Sequence, residues 1–454
     1  MFEPDKSGIK LGPLWFTPGY SGANIGTMLL GCLLTMSVIT YLGFIQPYLL
    51  TEVLKIPPEE QGVLTGNLAA MQEVVVILIM GFAGALSDRT GRRFVFVTGF
   101  LVLAAGYAVY PLASSVTQLY IFRLVFATGA GIVPVMLSAC IQDHIQERSR
   151  ARWIGVTSIF NGLGVILMAT VLAKTPDMYQ QYGADPAVAG RYAFWTATAI
   201  CLFAAVVLGI GLKAPDKNLS KKEKKPLIKQ LKLGVSAGRN PRLSLAFGAA
   251  FIGRGDLAII GTFFSLWVTQ TGVEAGMETS AALARGGMLF GIIQLSAMLW
   301  AAGVGIISDK FNRISSLCFA LGIAAVGYLA MGLVADPFAN SIFLFCILLG
   351  IGEISVIVSA GALLGQEAPE KIRGSVVGVY GLVGAIGILF ATKTGGELFD
   401  GVGRTAPLTM MGILNAVLLV IAIWVRIKHG EPTPAALIQE DQTTGTDNEI
   451  QEAR

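Results

Sequence analysis

The chain of 454 residues holds many apolar runs of about twenty residues, and that feature leaves its backbone few choices. At ~1.5 Å of rise per residue, one such run wound as a helix covers a ~30 Å hydrocarbon layer. Lipid offers no hydrogen bonds, so the backbone of a single run must satisfy itself, which a helix does. Runs of suitable length fall near residues 23–50, 61–84, 94–112, 117–141, 152–173, 192–212, 242–269, 284–305, 314–335, 339–363, 374–396 and 405–427. Apolar residues make up 54% of the chain and charged residues 14%, where soluble domains carry about a quarter. The first run is too long for a signal-peptide core and lacks a small-residue cleavage site after a basic start, so it is expected to remain as a helix.

Charge placement orients the expected spans. Connections after even-numbered runs, together with residues 426–428, hold 22 Lys and Arg, whereas those after odd-numbered runs hold only Lys55, Lys174, Arg191, Arg285 and Arg404. The positive-inside bias therefore predicts both termini in the cytoplasm of a cell-membrane protein. Expected boundaries are a segment 1–22, a six-helix bundle 23–212, a basic linker 213–241, a second six-helix bundle 242–427 and a disordered polar tail 428–454. The linker reads as a solvated positive-inside join, and PLIKQLKLGVSA within it suits a short amphipathic helix on the inner membrane surface. The five cysteines lie in or beside apolar runs without metal or disulfide spacing.

One loop occurs twice. GALSDRTGRR, from Gly84 to Arg93, recurs in degenerate form as GIISDKFNRI, with Asp88 and Asp309 221 positions apart. The first copy supplies Gly84, Asp88, Arg89, Gly91, Arg92 and Arg93; the second keeps Gly305, Asp309, Lys310 and Arg313 but has Asn312 in place of a glycine. In these loops the chain resembles the major facilitator superfamily, whose signature between the second and third helix of each half reads G-x-x-x-D-R-x-G-R-R/K. The resemblance covers roughly residues 23–427 and implies an all-α membrane protein of twelve helices in two parallel, pseudo-symmetric six-helix bundles, with substrate at the midplane between them. Asp88 at the start of a tight turn, followed by Arg89, Arg92 and Arg93, suits inner-surface ion pairs and helix-end contacts, so the loops are expected to gate one closed state. Aligning RLVFATGAG of the fourth run with ILLGIGEIS of the tenth needs an offset near 223, which extends the repeat beyond the loops.

Charges inside the runs point to function, because each costs about 2.5–3.5 kcal/mol at a helix centre. Glu73, Arg123, Arg254, Asp256 and Glu353 stand out as a substrate or proton pathway. Resemblance to the family places runs one, four, seven and ten around the central cavity, and associates an arginine placed like Arg123 with proton coupling. Arg254 and Asp256 point about 200° apart on a helix, so each needs a separate partner. Glu353 is the expected partner of Arg254, leaving Asp256 to face the other half or the substrate. Gly253 and Gly255 either let the helix unwind at this point or serve close packing. Burial disfavours a lone carboxylate, so among three acids and two bases one acid is expected to hold a proton, Asp256 and Glu73 being the candidates. Gln46, Asn67, Gln72, Asn161 and Gln294 are possible cavity polar groups, and Trp267 and Trp300 are expected as interfacial anchors.

These readings converge on a secondary transporter that moves a small organic solute, anionic or zwitterionic, by alternating access with proton coupling. The alternatives are an uncoupled facilitator, a drug or metabolite exporter, and a transporter-like sensor or lipid-handling protein. The fifth run lacks the glycine-proline motif common in drug/proton antiporters of the family, which weighs against drug export. No Walker, HExxH, GxSxG or zinc pattern is present, so no enzyme activity, cofactor, metal or nucleic-acid partner is expected. Membrane lipids, solute and protons are the expected partners of a monomer.

Overall fold

A computed structural model describes residues 8–146, 149–213, 227–369 and 372–430; the side chains at positions 151, 227–230, 309 and 310 fall outside that set. Of the expected disordered tail 428–454, Lys428 and His429 instead belong to the last helix, whose turns continue past the apolar run, and residues 431–454 lie outside the described residues, as do residues 214–226 of the linker.

The helices are α1 (Gly22–Tyr48), α2 (Pro58–Thr90), α3 (Arg92–Val109), α4 (Val116–Asp143), α5 (Arg150–Thr170), the short α6 (Thr175–Gln181) and α7 (Pro186–Gly211), followed by α8 (Leu227–Ala237). The second series is α9 (Pro241–Ile259), α10 (Ser265–Glu274), α11 (Thr279–Lys310), α12 (Arg313–Gly332), α13 (Ile342–Glu367), α14 (Arg373–Gly401) and α15 (Ala406–His429). Two π-helical turns, Leu49–Val53 and Ile260–Phe264, extend α1 and join α9 to α10. Twelve spans result, six on each side of α8, so both ends of the described chain lie on one face, called here the terminal face.

Local chemistry sets the starts. Ser21 and Asn24 form a capping box on α1, Ser115 caps α4, and Pro58, Pro186 and Pro241 begin helices where a missing N–H costs nothing. Gly91 separates α2 from α3 at φ 94°, a conformation that favours glycine. Its counterpart Asn312 solves the same junction differently, at φ −55°, by accepting hydrogen bonds from the backbone N–H groups of Ile314 and Ser315 as the N-cap of α12.

The sequence repeat reappears as repeated packing. Gly106 of α3 sits against Phe126 of α4, where a Cβ would lie 2.8 Å from the Phe126 Cα. Gly327 of α12, 221 positions later, sits against Leu348 of α13. Gly129 packs on Leu103, and Gly352, 223 positions later, packs on Ala324. Small residues let these helix pairs approach backbone to backbone, which is how membrane helices gain contact without a hydrophobic drive between them.

The terminal face carries an element that apolar periodicity does not reveal. Lys10–Leu11 (β1) and Leu14–Trp15 (β2) form a small antiparallel hairpin, and Phe16 bridges Ile145 beyond α4. Trp15 N–H donates to Ser149 Oγ at 3.0 Å, and Thr17 N–H donates to the His144 carbonyl at 3.1 Å. Phe16, fully buried, meets Trp153 of α5 edge-on at 5.1 Å. This clasp ties the start of the chain to the α4–α5 junction. On the other half, α8 rests on α14, where Gly234 approaches Ser375, and leaves Leu231 and Val235 exposed.

Candidate functional site

The two halves meet mainly away from the terminal face. At that outer end Asp400 of α14 accepts from the backbone N–H groups of Gly62 and Val63 of α2, at 2.9 and 2.6 Å. Gln270 donates to the Pro58 carbonyl at 2.9 Å and to Gln61 Oε1 at 3.2 Å, while Arg404 donates to Gln270 at 2.8 Å and pairs with Glu274. Ser265 Oγ donates to the Phe44 carbonyl, Ser280 Oγ to Gln180, and Thr279 Oγ1 to Glu52. Below this polar rim, Gly66 meets the Thr392 carbonyl and Gly396, and Gly287 meets Ala169, so closely that a Cβ at either would collide with backbone oxygen at 2.4 or 2.3 Å.

Toward the terminal face the packing changes. Gly81 and Gly84 of α2, Gly155 of α5, Gly305 of α11, Gly361 of α13 and Gly378 of α14 have open space where a Cβ would stand. Gly162 of α5 still touches Met298 of α11 near mid-span. The halves are closed at the outer face and part toward the terminal face.

Arg254 and Glu73 lie at the level of this opening. Arg254 is exposed on α9 with its stem against Gly384 of α14, and Glu73 is half-buried on α2. They come from opposite halves, and the charge of Arg254 reaches Glu73 and Tyr380. Neither makes a hydrogen bond or an ion pair among the described residues. The expected pairing of Arg254 with Glu353 is not formed. Glu353 is 3% exposed inside the second half, and its Oε2 has no hydrogen-bond partner.

Asp256 turns away from Arg254, as the 200° relation requires. It is fully buried and does not face the opposite half; Asn415 Nδ2 of α15 donates to both its carboxylate oxygens, at 3.1 and 3.0 Å. The glycines beside it do not unwind the helix. Gly253 packs on Val356 and Gly255 on Met411 and Ala391, α9 runs unbroken to Ile259, and the irregular π turn comes at Ile260–Phe264.

Arg123 is 4% exposed in the first half. It donates to Gln46 Oε1 at 2.8 Å and to Tyr110 Oη at 3.3 Å, and its guanidinium lies 5.8 and 5.7 Å from the Tyr110 and Phe126 rings. Gln46 is thus an interior partner of Arg123 and Thr65, 1% exposed, rather than a cavity-lining group. Asn67 accepts from Lys393 of the opposite half at 2.8 Å. Gln72 and Asn161 each keep a buried side-chain oxygen without a partner, and Gln294 is half-buried on α11. Trp267 is 2% exposed and packs edge-on against Phe264, while Trp300 donates to Ser355 at 3.0 Å; both serve interior contacts rather than the interface.

In the first signature loop, Arg92 binds Ser87 at 2.6 Å, Asp88 at 3.1 Å and Asp143 of α4 at 3.1 Å, and Arg93 reaches the Leu212 carbonyl at 3.4 Å. Arg89 is exposed. The contacts of Arg92 and Arg93 tie α2, α3, α4 and α7 together within one half. In the second loop the side chains of Asp309 and Lys310 lie outside the described set, and Arg313 opens α12.

Sequence reasoning passed over the outer rim, because Asp400 and Arg404 fall just beyond an apolar run and read as loop. Tyr328 and Asn415 were passed over as neutral side chains within runs. Lys393 lay inside the expected eleventh span and carried a signal; its pairing with Glu397, one helical turn on at 3.1 Å, tempers its charge.

A family model described as the Major Facilitator Superfamily matches residues 27–392. The magnetosome protein MamH of Paramagnetospirillum magneticum is 28% identical over 405 residues, which cover 86% of this chain and 89% of MamH. The magnetosome protein MamZ of the same organism is 29% identical over 396 residues, 84% of this chain, and the chain spans 59% of its length. Among solved structures, the nucleoside transporter NupG superposes with a TM-score of 0.70 at 11% identity over 89% of this chain and 98% of NupG, a likeness of fold.

Proposed function

The chain belongs to the major facilitator superfamily, and on that premise we propose that it is a proton-coupled secondary transporter that moves a small anionic or zwitterionic organic solute by alternating access. One observation carries the proposal: the halves are sealed at the outer face, part toward the terminal face, and present Arg254 and Glu73 from opposite sides of the opening without pairing them. A guanidinium can hold a carboxylate through two parallel hydrogen bonds, and a carboxylate opposite it can hold an ammonium group. A zwitterion would engage both halves at once and so favour their closure around it. By the positive-inside bias the terminal face is the cytoplasmic face of a cell membrane, and the arrangement is inward-open. The signature loops serve as gates, closing the cytoplasmic side when the outer rim separates. The transporter works as a monomer, since each chain holds both halves.

The test is flux in proteoliposomes with an internal pH reporter, across a panel of amino acids, carboxylates, amines and nucleosides. Wild type is expected to show solute-dependent proton movement. Arg254→Gln and Glu73→Gln are expected to weaken solute affinity at least tenfold, and Asp256→Asn to uncouple flux from protons. Flux without proton movement would identify a facilitator, and binding without flux would overturn transport itself.

A further inference from the structure

Asp256 of α9 and Glu353 of α13 are two buried acids in the interior of the second half, on helices that touch where Gly253 packs on Val356, each three residues from the acid on its own helix. Around them stand Asn415 of α15, 0% exposed, and Tyr328 of α12, 0% exposed, whose hydroxyl feels both carboxyl groups. Three polar atoms in this group have no hydrogen-bond partner: Glu353 Oε2, Tyr328 Oη and Asn415 Oδ1. The groups that bear on Asp256 are Asn415 and Glu353, and no basic side chain among the described residues bears on either acid. Arg254, two residues away, projects from the other side of α9 toward α14 and α2.

Two carboxylates removed from water without a counter-ion are not sustainable, since an uncompensated buried charge costs several kcal/mol. The neutralising species must be small, because Asn415 already turns its amide N–H toward both Asp256 oxygens, where a metal ion would need lone pairs. We propose that Asp256 and Glu353, with Tyr328 and Asn415 as positioning residues, form an occluded proton-binding site inside the second half, separate from the Arg254 and Glu73 pair that faces the solute. Each proton taken up neutralises one carboxylate. One bound proton leaves the pair with a single negative charge, and a second leaves it neutral. The two sites then communicate through α9, whose one side meets the solute and whose other side holds the proton. This assignment rests on the reading of the chain as a coupled transporter.

Proton occupancy can be read without any solute, by infrared difference spectroscopy of purified protein in nanodiscs as pH is stepped. A protonated-carboxyl band is expected in wild type, reduced in Asp256→Asn and in Glu353→Gln, and shifted in frequency by Tyr328→Phe, whereas Glu73→Gln leaves that component in place. Each variant is first checked for wild-type melting and elution, and the isosteric amides mimic the neutral acid. A band unchanged in both acid variants would overturn the site, and so would its loss on adding sodium at fixed pH, which would mark a metal-cation site instead. If the band behaves as expected while no panel compound drives proton movement, the transport reading fails and the proton site stands.

Discussion

Arg254 and Asp256 stand two positions apart, and their different surroundings follow from about 200° of helical rotation. The arginine is left to the opening and the aspartate to the interior, where Asn415 is its partner. Arg123 shows a related economy: a buried guanidinium held by Gln46, Tyr110 and ring faces, with no acid among those partners. Gln46→Leu should therefore leave a buried cation short of an acceptor and lower stability by about 1–3 kcal/mol, read as a fall in melting temperature in detergent; an unchanged melting curve would show that Tyr110 and water suffice. The candidate charges were legible as residues, because a lipid-spanning run makes any ionisable group conspicuous. Their surroundings were not, since the Asn415 that meets Asp256 comes from α15 and the burial of Glu353 comes from the packing of α13 on α9 and α12, which no spacing within one run encodes. Nor could Tyr328 be distinguished from any other membrane tyrosine before the fold showed its hydroxyl buried without a hydrogen-bond partner.

At the scale of elements, α2 and α14 meet through Gly62, Gly66 and Gly396, and the fit leaves no room for a side chain. Gly66→Val should separate these helices at the outer face and raise labelling of an outer-rim cysteine placed at Thr405 severalfold, with little loss of expression. Asp400→Asn should act in the same direction but more weakly, by about 1–3 kcal/mol for a charge-assisted bond to backbone. Equal labelling in both variants and in wild type would show that the rim does not govern outer closure. The clasp at the terminal face offers a pH test. His144, just beyond α4, is 3% exposed; its Nδ1–H donates to the Cys140 carbonyl and its ring lies 4.3 Å from that of Tyr20. Burial, chiefly, and Lys213 hold its pKa below the ordinary imidazole value, against the opposing pull of the Cys140 carbonyl and Asp143. A depressed folded-state pKa means that the unfolded clasp binds more protons, so its stability is full above about pH 6.5 and falls as pH drops through the lower folded value. Protection from hydrogen exchange at residues 8–20, taken relative to the intrinsic rate at each pH, should fall on acidification in wild type and not in His144→Gln. Span positions were legible because the hydrophobic signal is strong, whereas the hairpin of Lys10–Leu11 and Leu14–Trp15 is too short to leave any periodicity.

The whole molecule is one plan used twice and closed at one end. The same glycine contacts recur at offsets of 221 and 223, so each half is braced internally and the changeable contacts lie between the halves. Twofold construction was visible in the repeated loop, but the direction of opening was not. It is set by which contacts between halves are made, and in the proposed cycle both openings share one sequence. Alternation between them is the central claim. It is tested most directly by electron–electron distance measurements in nanodiscs on a cysteine-depleted background, with spin labels at Glu59→Cys and Thr405→Cys for the outer face and at Arg89→Cys and Phe311→Cys for the terminal face. The account predicts a narrow, short outer distance and a long terminal one. Adding Gly66→Trp, which cannot fit against Thr392 and Gly396, should lengthen the first and shorten the second. Distances that stay fixed, or that lengthen together, would contradict alternating access.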